Sequence, residues 1–221
     1  MPQALRTTSE PQSGSLRVIR HDRQAYADAT AEQEMEVQRV LSGEAPPCII
    51  FTEHPPVFTI GTSGSERDIL STVIDGEHIR VFPTGRGGEV TYHGPGQLVC
   101  YVIDDLRKER DLHRHVWRLE ETVTRTLSHF GLDAGRDRRG IGVWINGAKI
   151  AAVGVRCRRW VTWHGVALNI HPNLRHFSGI VPCGLRHARV TSMQACGVAV
   201  ERQEVEIVLL AKARCLFGRG A

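Results

Sequence analysis

The chain has 221 residues, the length of one large domain or two small ones. Hydrophobic residues make up 41% and charged residues 24%, a balance that supports a packed core and excludes disorder throughout. The formal net charge of +4 is too modest for a dedicated nucleic-acid binder, but it suits a protein that docks acidic partners.

Residues 1–14 are rich in Ser, Thr, Gln and Pro without apolar periodicity, and read as a mobile tail ahead of one domain spanning 15–221. Leu16 to Ile19 is a short strand candidate. From about Asp22 to Leu41 the spacing of Tyr26, Ala29, Gln33, Val37 and Val40 predicts a helix, which Gly43 and Pro46-Pro47 stop. Cys48 to Thr52 and Val57 to Ile60 read as strands separated by Pro55-Pro56. Thr72 to Arg80 reads as loop, and Leu98 to Ile103 as an apolar strand. A helix is expected over about Asp111 to Phe130, with Leu112, Val116, Leu119, Val123, Leu127 and Phe130 on one face and Gly131 as its stop. Gly142 to Ile145, the dipeptide Asn146-Gly147 and Ala148 to Arg156 predict a hairpin on a type I′ turn. Arg158 to Trp160 turns the chain into a third strand, Val161 to Ile170, and a helix over about Val200 to Leu216 closes it. Strands joined by short hairpins among helices argue for an α/β (α+β) domain with a mixed, largely antiparallel sheet.

Six cysteines, at 48, 100, 157, 183, 196 and 215, are scattered without a CxxC pair. No secretory leader and no apolar run of membrane-spanning length is recognisable. Free thiols in a reducing, cytoplasmic setting are therefore expected. Two arginine groups, Arg136, Arg138 and Arg139, then Arg156, Arg158 and Arg159, read first as solvated loops. The eleven histidines form no HExxH or finger spacing, so neither metal nor other cofactor is expected.

Three features bear on chemistry. Gly85 to Gln97 holds five glycines, an arginine and a histidine in thirteen positions, and reads as a loop that either wraps a ligand or simply connects. It is neither a P-loop nor a dinucleotide fingerprint. Cys183, between Pro182 and Gly184, is either an exposed nucleophile or a small apolar filler. Lys149 sits in an apolar return strand, where it either faces solvent or, facing inward, must meet an anion or give up its proton.

The segment Arg86-Gly87-Gly88, Thr91-Tyr92-His93 and Gly96-Gln97 resembles the signature of the lipoyl(octanoyl) transferase family. Segments 52–61, 149–154, 164–169 and 179–184 resemble the same family, in the expected order, over roughly residues 15–215. The resemblance implies a fold like the catalytic domains of biotin protein ligases and lipoate ligases. It implies ATP-independent transfer of octanoyl from octanoyl-acyl carrier protein to a lysine of lipoyl domains of 2-oxoacid dehydrogenases or of glycine-cleavage H protein. It implies Cys183 as the thioester-forming nucleophile and Lys149 as its partner. Substrate-binding positions carried over are Arg86, Gly87, Gly88, Glu89, Val90, Thr91, Tyr92 and His93, then Ala152, Val153 and Gly154, and Gly165, Val166 and Ala167. Where many members have serine, this chain has Ala152.

Overall fold

A computed structural model describes residues 16–181 and 189–218. The expected tail over residues 1–14 and the expected nucleophile Cys183 lie outside the described residues.

The chain runs β1 (Arg17–Arg20), α1 (Tyr26–Ser42), β2 (Cys48–Thr52), β3 (Val57–Ile60), β4 (Val73–Ile74), β5 (Glu77–His78), β6 (Arg80–Pro83), β7 (Val90–His93) and β8 (Gln97–Asp105). It continues through α2 (Leu112–His129), β9 (Gly135–Asp137), β10 (Gly140–Ile145), β11 (Ala148–Arg158), β12 (Val161–Asn169), β13 (Arg189–Val190) and α3 (Arg202–Phe217). The main sheet has the order β1-β2-β8-β12-β11-β10-β9, with β13 also paired to β11. Five of its ladders are antiparallel; β1–β2 and β11–β13 are parallel. The mixed, largely antiparallel sheet is thus as the hairpin-rich sequence predicts.

The helices follow from the apolar stripes. The expected stripe of α1, from Tyr26 to Val40, is buried against β8 and β12 on one face of the sheet. On α2, Leu119, Val123 and Leu127 enter the core of the opposite face, which α3 shares through Val205, Leu209, Ala213 and Phe217. Asp111 caps α2 by accepting from the Arg114 amide at 2.8 Å. Leu112 and Val116 leave that core to line a cavity described below.

Both predicted hairpin turns form. Asn146 and Gly147 have φ of 47° and 77°, and Arg159 and Trp160 have φ of 50° and 64°, the doubly positive pattern of a type I′ turn. Two expectations are corrected. Thr72 to Arg80 is not simply loop, because Asp75-Gly76, also at positive φ, turns β4 into β5. The glycine-rich stretch is not one loop, because β-branched and aromatic Val90 to Tyr92 continue into a strand that pairs with β3. Strands β6-β3-β7 form a second, smaller sheet with its own core of Phe58, Ile79, Tyr92 and Phe177.

Candidate active site

Strand β11 is paired to β10 only as far as Ala151, opposite Val143. Beyond that point its outer edge is met again at Val155, whose carbonyl accepts the Gly87 amide at 2.8 Å. A cavity of about 510 Å³ passes across the interval between them. That volume lies in the range of small-molecule sites. Its walls include Arg86 to Thr91, His93, Lys149, Ala152 to Val155 and His164 to Ala167. Fifteen of the sixteen sequence-derived site positions are therefore described. Of these, fourteen line the cavity and Tyr92 does not: its ring is buried in the second sheet's core and its hydroxyl is bonded to His176 Nδ1 at 2.8 Å.

The loop is shaped by Arg86. Its guanidinium donates to the carbonyls of Thr59 (2.8 Å), Glu89 (2.7 Å) and Gly87 (3.1 Å). This inward anchor curls the glycines over β11 so closely that a Cβ on Gly154 would lie 2.9 Å from the Gly87 carbonyl oxygen. Glycine at 154 is thus required by the approach of another backbone.

Lys149 is only 9% exposed, and its ammonium lies 5.1 Å from the centre of the Trp144 ring. Its stem crosses Gly142, where an added Cβ would fall 2.6 Å from Lys149 Cε. Gly142 has φ of 131° at a register shift in β10, and its amide donates to Glu120 at 2.8 Å. Of the two readings of Lys149 from sequence, the inward one is observed. The return of the chain reaches the same place: Val190 pairs with Lys149, and the Thr191 amide donates to the Lys149 carbonyl at 2.9 Å. Upstream, Val181 is fixed by its amide to Asp68 at 2.8 Å.

The inner wall is polar, with His93, Tyr101 and His164 lining it and His54 behind them. His54 bonds Tyr101 and the Gln24 carbonyl, each at 2.7 Å, and His93 bonds Gln97 at 2.8 Å. His164 adopts φ of 62°, its amide held by the Gln33 side chain at 2.9 Å, and its Nδ1 is buried without a partner. Burial holds His54 near 4 and, with Arg86 and Arg156 adding repulsion, His164 near 3; burial and His54 hold His93 well below the usual range. These rings are neutral when folded but protonate at about 6.5 when unfolded. Below that pH the unfolded state binds more protons, so stability should fall as pH drops from 6.5 towards 4. The expected slope is up to about 1.4 kcal/mol per pH unit for each ring. Urea titrations across this window check it; His54→Phe should remove about one proton's worth of slope.

The model of the lipoyl protein ligase A/B catalytic domain matches residues 25–214. The octanoyltransferase of Rhodopseudomonas palustris (strain BisA53) is 42% identical over 205 residues, covering 88% of this chain and 86% of the relative. The chain belongs to the lipoyl protein ligase A/B family, among its octanoyltransferases. A putative lipoate protein ligase from T. acidophilum superposes with a TM-score of 0.72 at 17% identity, covering 91% of this chain and 84% of the other. A biotin protein ligase from Aquifex aeolicus, in complex with biotin and ATP, does so at 0.55 and 11%, covering 91% and 70%. These two likenesses carry the fold alone.

Within this octanoyltransferase fold, several cavity residues carry no motif signal. Tyr26 comes from α1, and Leu112, Val116 and Ile141 form an apolar entrance; Tyr101, from β8, does carry a signal, since it follows the Gly96-Gln97 end of the motif. The first two of these entrance residues sit on the apolar stripe of α2, and periodicity does not separate a cavity wall from a core. The signal for His164 is its place just before the Gly165 motif. Three of the six arginines in these groups are committed: Arg136 pairs with Glu120 (2.9 Å) and Glu121 (3.1 Å), Arg139 with Asp137 (2.6 Å), and Arg156 stacks over Trp163 at 5.1 Å. Arg138, Arg158 and Arg159 are exposed. Among the described residues, Cys48, Cys100, Cys157, Cys196 and Cys215 are free thiols, and no helix is long and apolar enough to cross a membrane.

Proposed function

We propose that this family member takes an octanoyl group from octanoyl-acyl carrier protein onto Cys183 as a thioester. It then passes the group to a lysine of a lipoyl domain or of glycine-cleavage H protein, in the cytoplasm and without ATP. The observation that carries the reading is the pairing of β13 beside Lys149. It ties the chain six positions after Cys183 to the wall of the cavity.

The chemistry balances with two residues. A Lys149 ammonium favours the Cys183 thiolate by charge. The thiolate attacks the donor's thioester carbonyl, the acyl–sulfur bond to the carrier breaks, and the departing thiolate takes a proton from Lys149. The acceptor lysine's amine then attacks the new thioester; Lys149 takes the amine's proton, and Cys183 leaves as thiolate. The pair is restored, and no nucleotide is consumed because a thioester is exchanged for a thioester and then for a more stable amide. The apolar entrance, with the small apolar residues of β11 and β12, limits access of water that would otherwise hydrolyse the acyl-enzyme.

None of the five described thiols lines the cavity. Cys48 and Cys100 are buried; burial, with Glu36 adding to it, pushes the Cys48 thiol up to about 12, and burial raises Cys100 as well. Burial also raises Cys157. Incubation with octanoyl-acyl carrier protein in the absence of ATP should add one octanoyl group, mapped by digestion and mass spectrometry to Cys183. A stable thioester on any of the other five cysteines, or acylation that needs ATP, would remove the assignment.

A further inference from the structure

The trough inside the cavity is built from side chains of unusually small size, and they are aligned. In the β11–β12 ladder Ala152 faces Ala167 and Gly154 faces Gly165. In the neighbouring ladder Val99 faces Ala167 and Tyr101 faces Gly165. Because paired residues share a face and the pleat has a period of two, all six lie on one side of the sheet. All six line the cavity.

Exposure gives the trough a direction. Ile141 at the entrance is 59% exposed, whereas Val99 and Ala167 are 1% and 4% exposed. Along β11, Ala152 lies three residues, about 10 Å, from Lys149. The inner end is shut by backbone and by polar groups. The Gly87 amide is bonded to the Val155 carbonyl, and Tyr101 stands beside His164, whose Nδ1 is buried without a partner. An alkyl chain pushed past Gly154 would have to displace that backbone bond or seal off the neutral imidazole from any partner, both of which are costly.

Resting on the octanoyl transfer proposed above, we infer that the Ala152–Ala167 pair, with Val99 beneath it, is an acyl-chain ruler that sets the length of saturated chain accepted. Widening a side chain at Ala167 or Ala152 takes up room that the last methylenes of the chain occupy. Trimming Val99 releases room beside that pair. Discrimination between chains differing by a methylene in an apolar pocket is about 10- to 200-fold.

The test is steady-state transfer by the full chain, with hexanoyl-, octanoyl- and decanoyl-acyl carrier protein as donors. Ala167→Val should shift the ratio of kcat/KM at least tenfold from octanoyl towards hexanoyl, on the scale of one methylene. Ala152→Val, at a half-buried position better able to tolerate the change, should shift it the same way. Val99→Ala should shift preference towards decanoyl. If wild type transfers octanoyl and folded Ala152→Val and Val99→Ala both keep the wild-type ratios, the ruler is wrong while the transferase reading stands. If wild type transfers none of the three chains, the transferase reading itself fails.

Discussion

Lys149→Ala should lower single-turnover transfer by roughly 10²- to 10⁴-fold, the usual worth of a positioned proton-transfer group, while Cys183 remains present. Loss of the ammonium should also move the pH midpoint of Cys183 alkylation upward, towards the 8.5 or so of a free thiol. Lys149→Arg separates the two roles. Arginine restores charge but stays protonated in proteins, so acylation by the donor should recover in part while transfer to the acceptor lysine stays slow. Lys149 is the residue to test because its placement is over-determined: it is buried, stacked on Trp144, laid across Gly142 and paired at its backbone with Val190. A Lys149→Ala enzyme with an unchanged alkylation midpoint and wild-type transfer would show that no dyad operates.

Gly142→Ala should impair transfer more than it impairs folding. The new Cβ would meet the Ala151 carbonyl oxygen and Lys149 Cε, each at 2.6 Å, at a residue with φ of 131°. Strain of this kind is worth about 1–3 kcal/mol, and the side chain able to yield is Lys149. Gly131→Ala is the matched control. Its φ is 77°, but nothing lies within 4 Å of the added carbon, so it should lose a similar stability and keep its activity. Denaturant midpoints set beside single-turnover rates decide this. If both variants lose activity only in proportion to stability, Gly142 is not the seat of the lysine.

How much of this was legible in advance depended on whether the signal was local. The stripe of α1, the start of α2 near Asp111 and the Asn146-Gly147 turn are each specified by neighbours in sequence, and each forms near where periodicity and turn chemistry place it. The motif positions also converge: residues from 86–93, 149–154 and 165–167 meet around one cavity although up to 81 positions separate them. Less legible was anything decided by pairing at a distance. Val57 to Ile60 reads as one more strand, yet it founds a second sheet because its partners are β6 and β7. Tyr92 belongs to the motif, but strand alternation turns it away from the cavity, and a glycine-rich composition conceals that alternation. Lys149 could not be oriented from sequence, because the glycine that makes room for it lies on the preceding strand.

The interval on β11 between its two outer partners has a consequence for solubility. Since Ala151 serves β10 and the Val155 carbonyl is taken by Gly87, alternation leaves Val153 to present its peptide N–H and C=O outward. Open strand edges invite neighbouring chains to add on, and most proteins blunt them with charge, proline or bulges. Here the exposed edge is a single residue long and is bounded by Val143 on one side and by the glycine loop on the other. Such an edge is too short to template a foreign strand, yet long enough to offer one donor and one acceptor to a small guest. The protein can therefore keep polar backbone facing an apolar cavity without the aggregation liability that a longer open edge would bring.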